Sequence, residues 1–401
     1  MHWTSVLSDM HTVTAGFLEE YQTVQLLDIY KPWFGEGGFG LSYDLYKIFP
    51  NDGALYLNNE LRLEQATFDF GLRYDFWFPG EYVEKAIQDT SLPTITQKMR
   101  EEFEEKTFKL LGHRGKGVFS PRLGFSAPFG KTSTFFFNYG RLSRKPNPQY
   151  LCAKLYSSTQ STYQLWGNPN LSWERVTSYE IGIKSLIGEN DALSLVAYYR
   201  GIYDYITAAR VTPDTLSPGN VYLVYFNADF ASSKGVEIEY RRKAGNFFSG
   251  LIQLGFSETV GERSEPEDIL LGIGGRSAQD IYEEVIFDWD KPWQATIGAT
   301  FFSDKKRLRL FGLKLPPDWD LNLNFWAHSG QRYTSYKQVI SPEGEVSYVP
   351  DSDINAKIGD YWSGLDLSFQ KHFAWRRLKY SLLVEATNLF DHKNVVVINP
   401  L

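Results

Sequence analysis

The chain has 401 residues, 43% of them apolar, with 11 Trp, 25 Tyr, 29 Phe and one Cys; 41 Lys and Arg against 48 Asp and Glu leave a formal charge of −7. Such a chain is too apolar to be disordered, and its length suits roughly two to three ordinary domains or one large all-β unit. A net acidic balance excludes nucleic acid as the main partner, because neutralising phosphates takes a surplus of clustered cations. Cys152 has no second cysteine to pair with, and no Cys/His spacing for structural zinc exists.

The dominant signal along the chain is period 2, the spacing of a strand whose two faces meet different solvents. A weak candidate spans 10–23 and a clearer one 55–62. In 66–76 one row reads Phe68, Phe70, Leu72, Tyr74, Phe76 and the other Asp69, Gly71, Arg73, Asp75. The stretch 84–116 breaks the alternation: it is charged, helical in propensity on either side of Pro93, and reads as an outer excursion. Its acidic run Glu101, Glu102, Glu104, Glu105 is a solvated helix face rather than a cation site. Strands follow at 122–127 and 134–141, then a second long loop over 141–176 carrying GNPNLSWE, rich in turn formers.

Beyond it Tyr179, Ile181 and Ile183 alternate with Glu180, Gly182 and Lys184, and similar patterns fall at 193–200, 235–241, 250–257, 294–301, 319–328, 365–370 and 380–387, with a weak one at 221–227. Trp326 is an exception in its polar row. The count is about fourteen strands. Short links at 187–191, 242–246, 303–307 and 374–377 alternate with long ones at 206–220, 261–286 and 329–361, the two-ended pattern of an outer-membrane barrel. Many apolar rows end in Tyr, Trp or Phe, as rings at a bilayer interface do. The longest aliphatic run, 395–398, is far short of the roughly 20 residues of a spanning helix. The first residues lack the basic and apolar regions of a signal peptide.

The reading is therefore all-β: an antiparallel up-and-down transmembrane barrel. Its polar rows face a lumen wide enough for water or a packed domain, and the glycines in those rows (Gly71, Gly124, Gly182, Gly235, Gly255, Gly298) either leave room for such a domain or relieve twist. Enzyme signatures collapse. Gly35, Gly37 and Gly40 satisfy GxGxxG with no helix behind them, and Gly130-Lys131-Thr132 has Phe125 where a phosphate loop needs glycine. The six histidines never reach metal-binding spacing, and the acid pairs Glu283/Glu284 and Asp288/Asp290 lie in an acid-rich stretch. No catalytic residue, metal or cofactor is expected.

Six stretches, in order, resemble the β-barrel of TonB-dependent outer-membrane receptors, particularly the Bacteroidetes-like group: LEQATFDFGLRYDFWFP (63–79) its GlRYD strand, FSPRLGFSAPFGKTSTFFFNYG (119–140) its SPRlG hairpin, and the segment 167–206, opening GNPNLSWE, its GNPxLxxE…YElG region. NADFASSKGVEIEY (227–240), SGQRYT (329–334) and TNLFD (387–391) follow its later landmarks. The resemblance implies an outer-membrane receptor/transporter of a Gram-negative bacterium for energised uptake of a siderophore, oligosaccharide, peptide or cobalamin. Its partners would be membrane lipid, an N-terminal plug domain, the periplasmic TonB complex and a surface lipoprotein. It also implies about 22 strands, so the chain reads over 1–401 as a partial barrel, with 84–116 and 141–176 as extracellular loops and no plug. Asp69, Arg73, Glu180, Lys184, Arg200, Glu237, Glu239 and Glu385 would line the lumen or meet the plug. Trp166, Tyr203, Tyr205, Trp289, Tyr333 and Tyr336 would stack on arriving substrate. The reading left open beside it is a secreted or periplasmic soluble all-β binding protein or glycan-active enzyme.

Overall fold

The computed structural model describes residues 1–29, 43–156, 165–211, 222–243, 245, 247–262, 284–303, 309–310, 313–314, 316–342 and 344–396. Fourteen long strands form its wall: β1 (His2–Ser8), β2 (His11–Tyr21), β3 (Asn51–Leu63), β4 (Ala66–Phe78), β5 (His113–Phe129), β6 (Ser133–Arg144), β7 (Glu174–Leu186), β8 (Asp191–Val211), β9 (Tyr222–Arg242), β10 (Phe248–Gly261), β11 (Trp293–Ser303), β12 (Trp319–His328), β13 (Trp362–Trp375) and β14 (Leu378–Ala386). Each pairs antiparallel with the next in sequence, so the wall is a single meander. β1 and β14 are its edges among the described residues.

Register keeps the two rows apart from strand to strand. Phe70 pairs with Leu123, Leu72 with Pro121 and Tyr74 with Phe119, while Asp69 lies opposite Gly124. Ile181 sits between Phe137 and Ala197, and Glu180 between Asn138 and Tyr198. No second sheet covers the apolar rows among the described residues: Phe70, Ile181 and Phe256 are 48%, 48% and 52% exposed. That removes the soluble sandwich, whose apolar rows must be buried between sheets. No described helix is long and apolar enough to cross a membrane.

On the polar face, aromatic rings lie across glycines of the neighbouring strand. A Cβ on Gly182 would come within 2.5 Å of the Phe136 ring, and one on Gly364 within 2.8 Å of Trp326. The misplaced Trp326 thus has its space made by Gly364, its cross-strand partner.

Three readings of the sequence are corrected. The segment 221–227 is not a separate strand but the start of β9, while β1 is a strand the alternation did not show, so the total stays fourteen. The link after β11 does not close at 303–307: β12 begins only at Trp319, with a small two-residue bridge at 309–314 between. The loop at 206–220 begins later, because β8 runs on to Val211 and pairs with β9 along almost its whole length of 21 residues. A tilted strand crosses the bilayer in about 9–11 residues, so roughly ten residues of this hairpin stand above it. The glycine set at 35–40 lies outside the described residues. Gly130-Lys131-Thr132 is the tight turn between β5 and β6, with Gly130 at φ +74°.

Candidate functional site

At the long-loop end, a cap covers the polar side of the wall. The stretch 84–116 builds much of it, through α1 (Glu81–Gln88) and α2 (Gln97–Lys106). Their boundaries follow from chemistry: Glu81 and Glu84 sit at the first turn of α1, where the helix dipole favours anions, and the Thr96 hydroxyl accepts the Met99 N–H at 3.3 Å as the cap of α2. The excursion read over 84–116 folds back onto the polar side of the wall. Ala86 and Ile87 of α1 and Met99 and Phe103 of α2 are buried, packed with Leu155, Val211 and Val224. The acidic run remains a charged face: Glu102 meets Lys106 and Glu104 meets Arg114. Arg100 ties the link between the helices by donating to the carbonyls of Ile87, Asp89 and Ile95.

A second cluster joins Trp77, Val83, Leu151, Cys152, Leu171, Trp173, Ile206 and Tyr225, bringing in the short helix α3 (Pro148–Cys152) and the tops of β4, β8 and β9. The GNPNLSWE stretch is more than a turn. Asn168 donates to the Tyr225 carbonyl at 2.8 Å, and Glu174 accepts from Arg144 at 2.6 Å and from the Ile206 N–H at 3.2 Å. Across from it the Asn227 amide accepts the Ser172 N–H at 2.7 Å and donates to the carbonyls of Ser172 and Asp204. Asp204, at φ +57°, is the bulge that bends β8 into the cap, and it pairs with Arg175.

Lys116 marks the floor of the cap, three residues above Phe119, the last ring of the apolar row on β5, and so beyond the part of that strand that crosses the bilayer. Its ammonium donates to the carbonyls of Asn170 (2.9 Å) and Leu171 and faces the rings of Phe103 (5.1 Å) and Trp77 (5.9 Å). Complete burial brings its pKa down to about 7, with the charge of Lys106 adding to the shift. Elsewhere in the cap, burial pushes the Tyr205 hydroxyl up to about 12, with help from Glu174. In the loop after β10, buried Asp290 pairs with Arg332 at 2.9 Å and accepts the Thr259 N–H at 2.9 Å; desolvation outweighs the cation and raises its pKa.

Below the cap, five of the eight charged residues singled out on the polar rows stand together. Glu180 faces Arg200 at 3.6 Å, Arg200 lies over the Tyr198 ring, Lys184 lies over Phe136, and Glu239 accepts from Gln253 at 2.8 Å. With Glu237 they line a recess of about 420 Å³. Asp69 accepts from Asn58 at 2.8 Å and Arg73 pairs with Asp75 at 2.7 Å on the neighbouring part of the same face, while Glu385 lies opposite Ser368 on the far edge strand.

The six aromatics do not form one surface. Tyr205 and Trp289 converge on Phe287, with centroids 6.3 and 5.1 Å away. Trp166 packs against Tyr222 and Lys154 inside the cap. Tyr333, opposite Lys357, and Tyr336, opposite Pro350, lie in the two short pairings of the 329–361 loop. Tyr203 stands on the apolar row against Phe230 and belongs with the outward rings. Sequence reasoning missed Arg100, Asn168, Asn227, Lys116 and the Asp290–Arg332 pair. Of these, Asn168 and Asn227 had a signal, since both sit in the GNP and NAD landmarks. No group of acids, histidines and cysteines able to hold a metal occurs among the described residues.

One meandering wall, apolar on one face and charged on the other, capped at its long-loop end, defines a membrane-spanning up-and-down β-barrel. Residues 2–389 match the TonB dependent receptor-like β-barrel family, and the chain belongs to it. Its place is accordingly the outer membrane of a Gram-negative bacterium. Solved structures of the same fold include the FrpB iron transporter (F3-3 variant) from Neisseria meningitidis (14% identity, TM-score 0.56, covering 98% of this chain and 50% of that one). The outer membrane transporter YddB from Escherichia coli gives 12%, 0.61, 97% and 49%, and a Q482A mutant of the ferric enterobactin receptor PfeA from Pseudomonas aeruginosa gives 13%, 0.57, 98% and 48%. The chain spans about half the length of these proteins. No curated protein sequence matches it.

Proposed function

We propose that the protein carrying this barrel is a TonB-dependent receptor and transporter that takes up a scarce substrate, a siderophore, oligosaccharide, peptide or cobalamin, across the outer membrane. The observation that carries this reading is the family match over residues 2–389 together with a polar inner wall bearing paired charges. On this reading Glu180, Lys184, Arg200, Glu237 and Glu239 meet a plug domain or line the path past it. The aromatic group around Phe287, with Tyr205 and Trp289, offers π faces to substrate arriving through the cap. Opening would depend on the periplasmic TonB complex, and a surface lipoprotein would hand substrate over.

The test is growth of a gene-deletion strain with each substrate class supplied in turn as the limiting nutrient. A defect on one class, reproduced by deleting the energy-transducing protein, is the expected result. Equal growth on all four classes would overturn the proposal.

A further inference from the structure

The outer surface of the wall carries two recesses that share the rings of Tyr74 and Phe119. The first, about 440 Å³, is lined by Phe17, Leu55, Leu57 and Leu72 among others, with no charged side chain. The second, about 500 Å³, lies where the end of α2 overhangs the wall, and it brings Lys106, Arg141 and Arg175 together with Phe108 and Glu105. A long apolar trough therefore opens into a basic notch at the level of the outer ring of aromatics. Arg141 decides what the notch is for. It lies on the apolar row of β6, next after Tyr139 on that face and directly opposite Thr177, and is exposed. Among the described residues no hydrogen bond or ion pair engages its guanidinium, whereas Arg175 is held by Asp204 and Lys106 by Glu102. An unpaired cation pointing towards lipid is costly within the hydrocarbon and is accommodated only at its edge, where anionic headgroups lie.

We infer that this surface binds a phosphorylated lipid of the outer leaflet, its acyl chain along the trough beside Tyr74 and Phe119 and its phosphate on Arg141. The occupant follows from charge and shape: an apolar groove alone would take any acyl chain, but the unpaired guanidinium selects a phosphate, which its planar fork grips through two parallel N–H···O bonds. Arg175 and Lys106, already paired with Asp204 and Glu102, line the notch without adding net charge, and the Glu105 carboxylate on the rim disfavours headgroups more anionic than a single phosphate.

The test uses the protein purified from outer membranes in non-ionic detergent, with dipalmitoyl phosphatidate, dipalmitoyl phosphatidylcholine and inorganic phosphate as probes, read by native mass spectrometry. Phosphatidate is expected to be retained at one copy per barrel and phosphatidylcholine to wash away. Arg141→Gln should weaken phosphatidate retention by roughly tenfold, the loss of a charge-assisted pair, and Arg141→Lys by less. Leu57→Ser should weaken it through the trough alone, and Arg62→Gln, the same loss of charge at the opposite end of the wall, should leave it unchanged. Unaltered heat-modifiable migration on gels shows that each variant folds. Equal retention of both lipids, indifference to Arg141→Gln, or displacement by millimolar inorganic phosphate would overturn the assignment.

Discussion

Lys116 is where wall and cap meet, and its titration gives the cap a pH dependence. Its pKa falls from the ordinary 10.5 to about 7 when the cap is docked, so between those values the undocked cap binds more protons. Docking therefore strengthens as pH rises from about 7 and is flat below it, by up to about tenfold per pH unit. Cys152, the single cysteine, is fully buried in the same cluster, so its rate of thiol labelling, normalised to unfolded protein at each pH, reports cap opening. Opening should decrease between pH 7 and 9 in the wild type and lose that slope in Lys116→Met; equal slopes would contradict this account. Arg332 supplies a second case. Arg332→Met leaves Asp290 buried without its cation, a loss on the order of 3 kcal/mol in docking of the 284–290 segment. Proteolysis of that segment should rise, and should recover partly at acid pH, where a neutral Asp290 needs no partner. Lys116 and Arg332 did not stand out in the sequence, and Asp290 showed only as one of an acid pair, because the partners, Asn170 and Leu171 for Lys116 and Thr259 for Asp290, come from distant segments.

At the scale of elements, legibility followed the contrast between faces. β4 and β7 could be read residue by residue because one row meets hydrocarbon and the other a polar interior. The upper half of β8 could not, because Ile206, Thr207 and Ala208 are all buried under the cap and the alternation disappears. α2 shows the opposite difficulty. Its helical propensity was plain, but only Met99 and Phe103 of its ten residues are buried, a stripe two residues wide that mean polarity conceals. That stripe nevertheless carries the docking: Phe103→Ala should cost about 3–5 kcal/mol, seen as faster labelling of Cys152 and cleavage within 97–106. The wall strands should keep their spectrum and heat-modifiable migration. Unchanged Cys152 labelling would show that α2 does not hold the cap.

For the molecule as a whole, the meander explains why so much of the wall was evident from local pattern. Every long pairing joins sequence neighbours, so register follows from alternation and tight turns such as Arg376–Arg377, between Trp375 and Leu378. The functional surfaces are different, since the cap, the charged recess and the outer notch each assemble residues from several loops or strands. Strand direction told which side Glu180 and Arg200 share, but not that 3.6 Å separates them.

The claim beneath all of this is that the rows of β7 face two different media. Nitroxide labels placed singly at 179–184, in a Cys152→Ser background reconstituted in bilayers, test it through collision with oxygen and with a water-soluble nickel chelate. Oxygen accessibility should peak at 179, 181 and 183 and nickel accessibility at 180, 182 and 184, the two out of phase. Profiles in phase, or low oxygen accessibility throughout, would contradict a wall with lipid on one side and a polar lumen on the other.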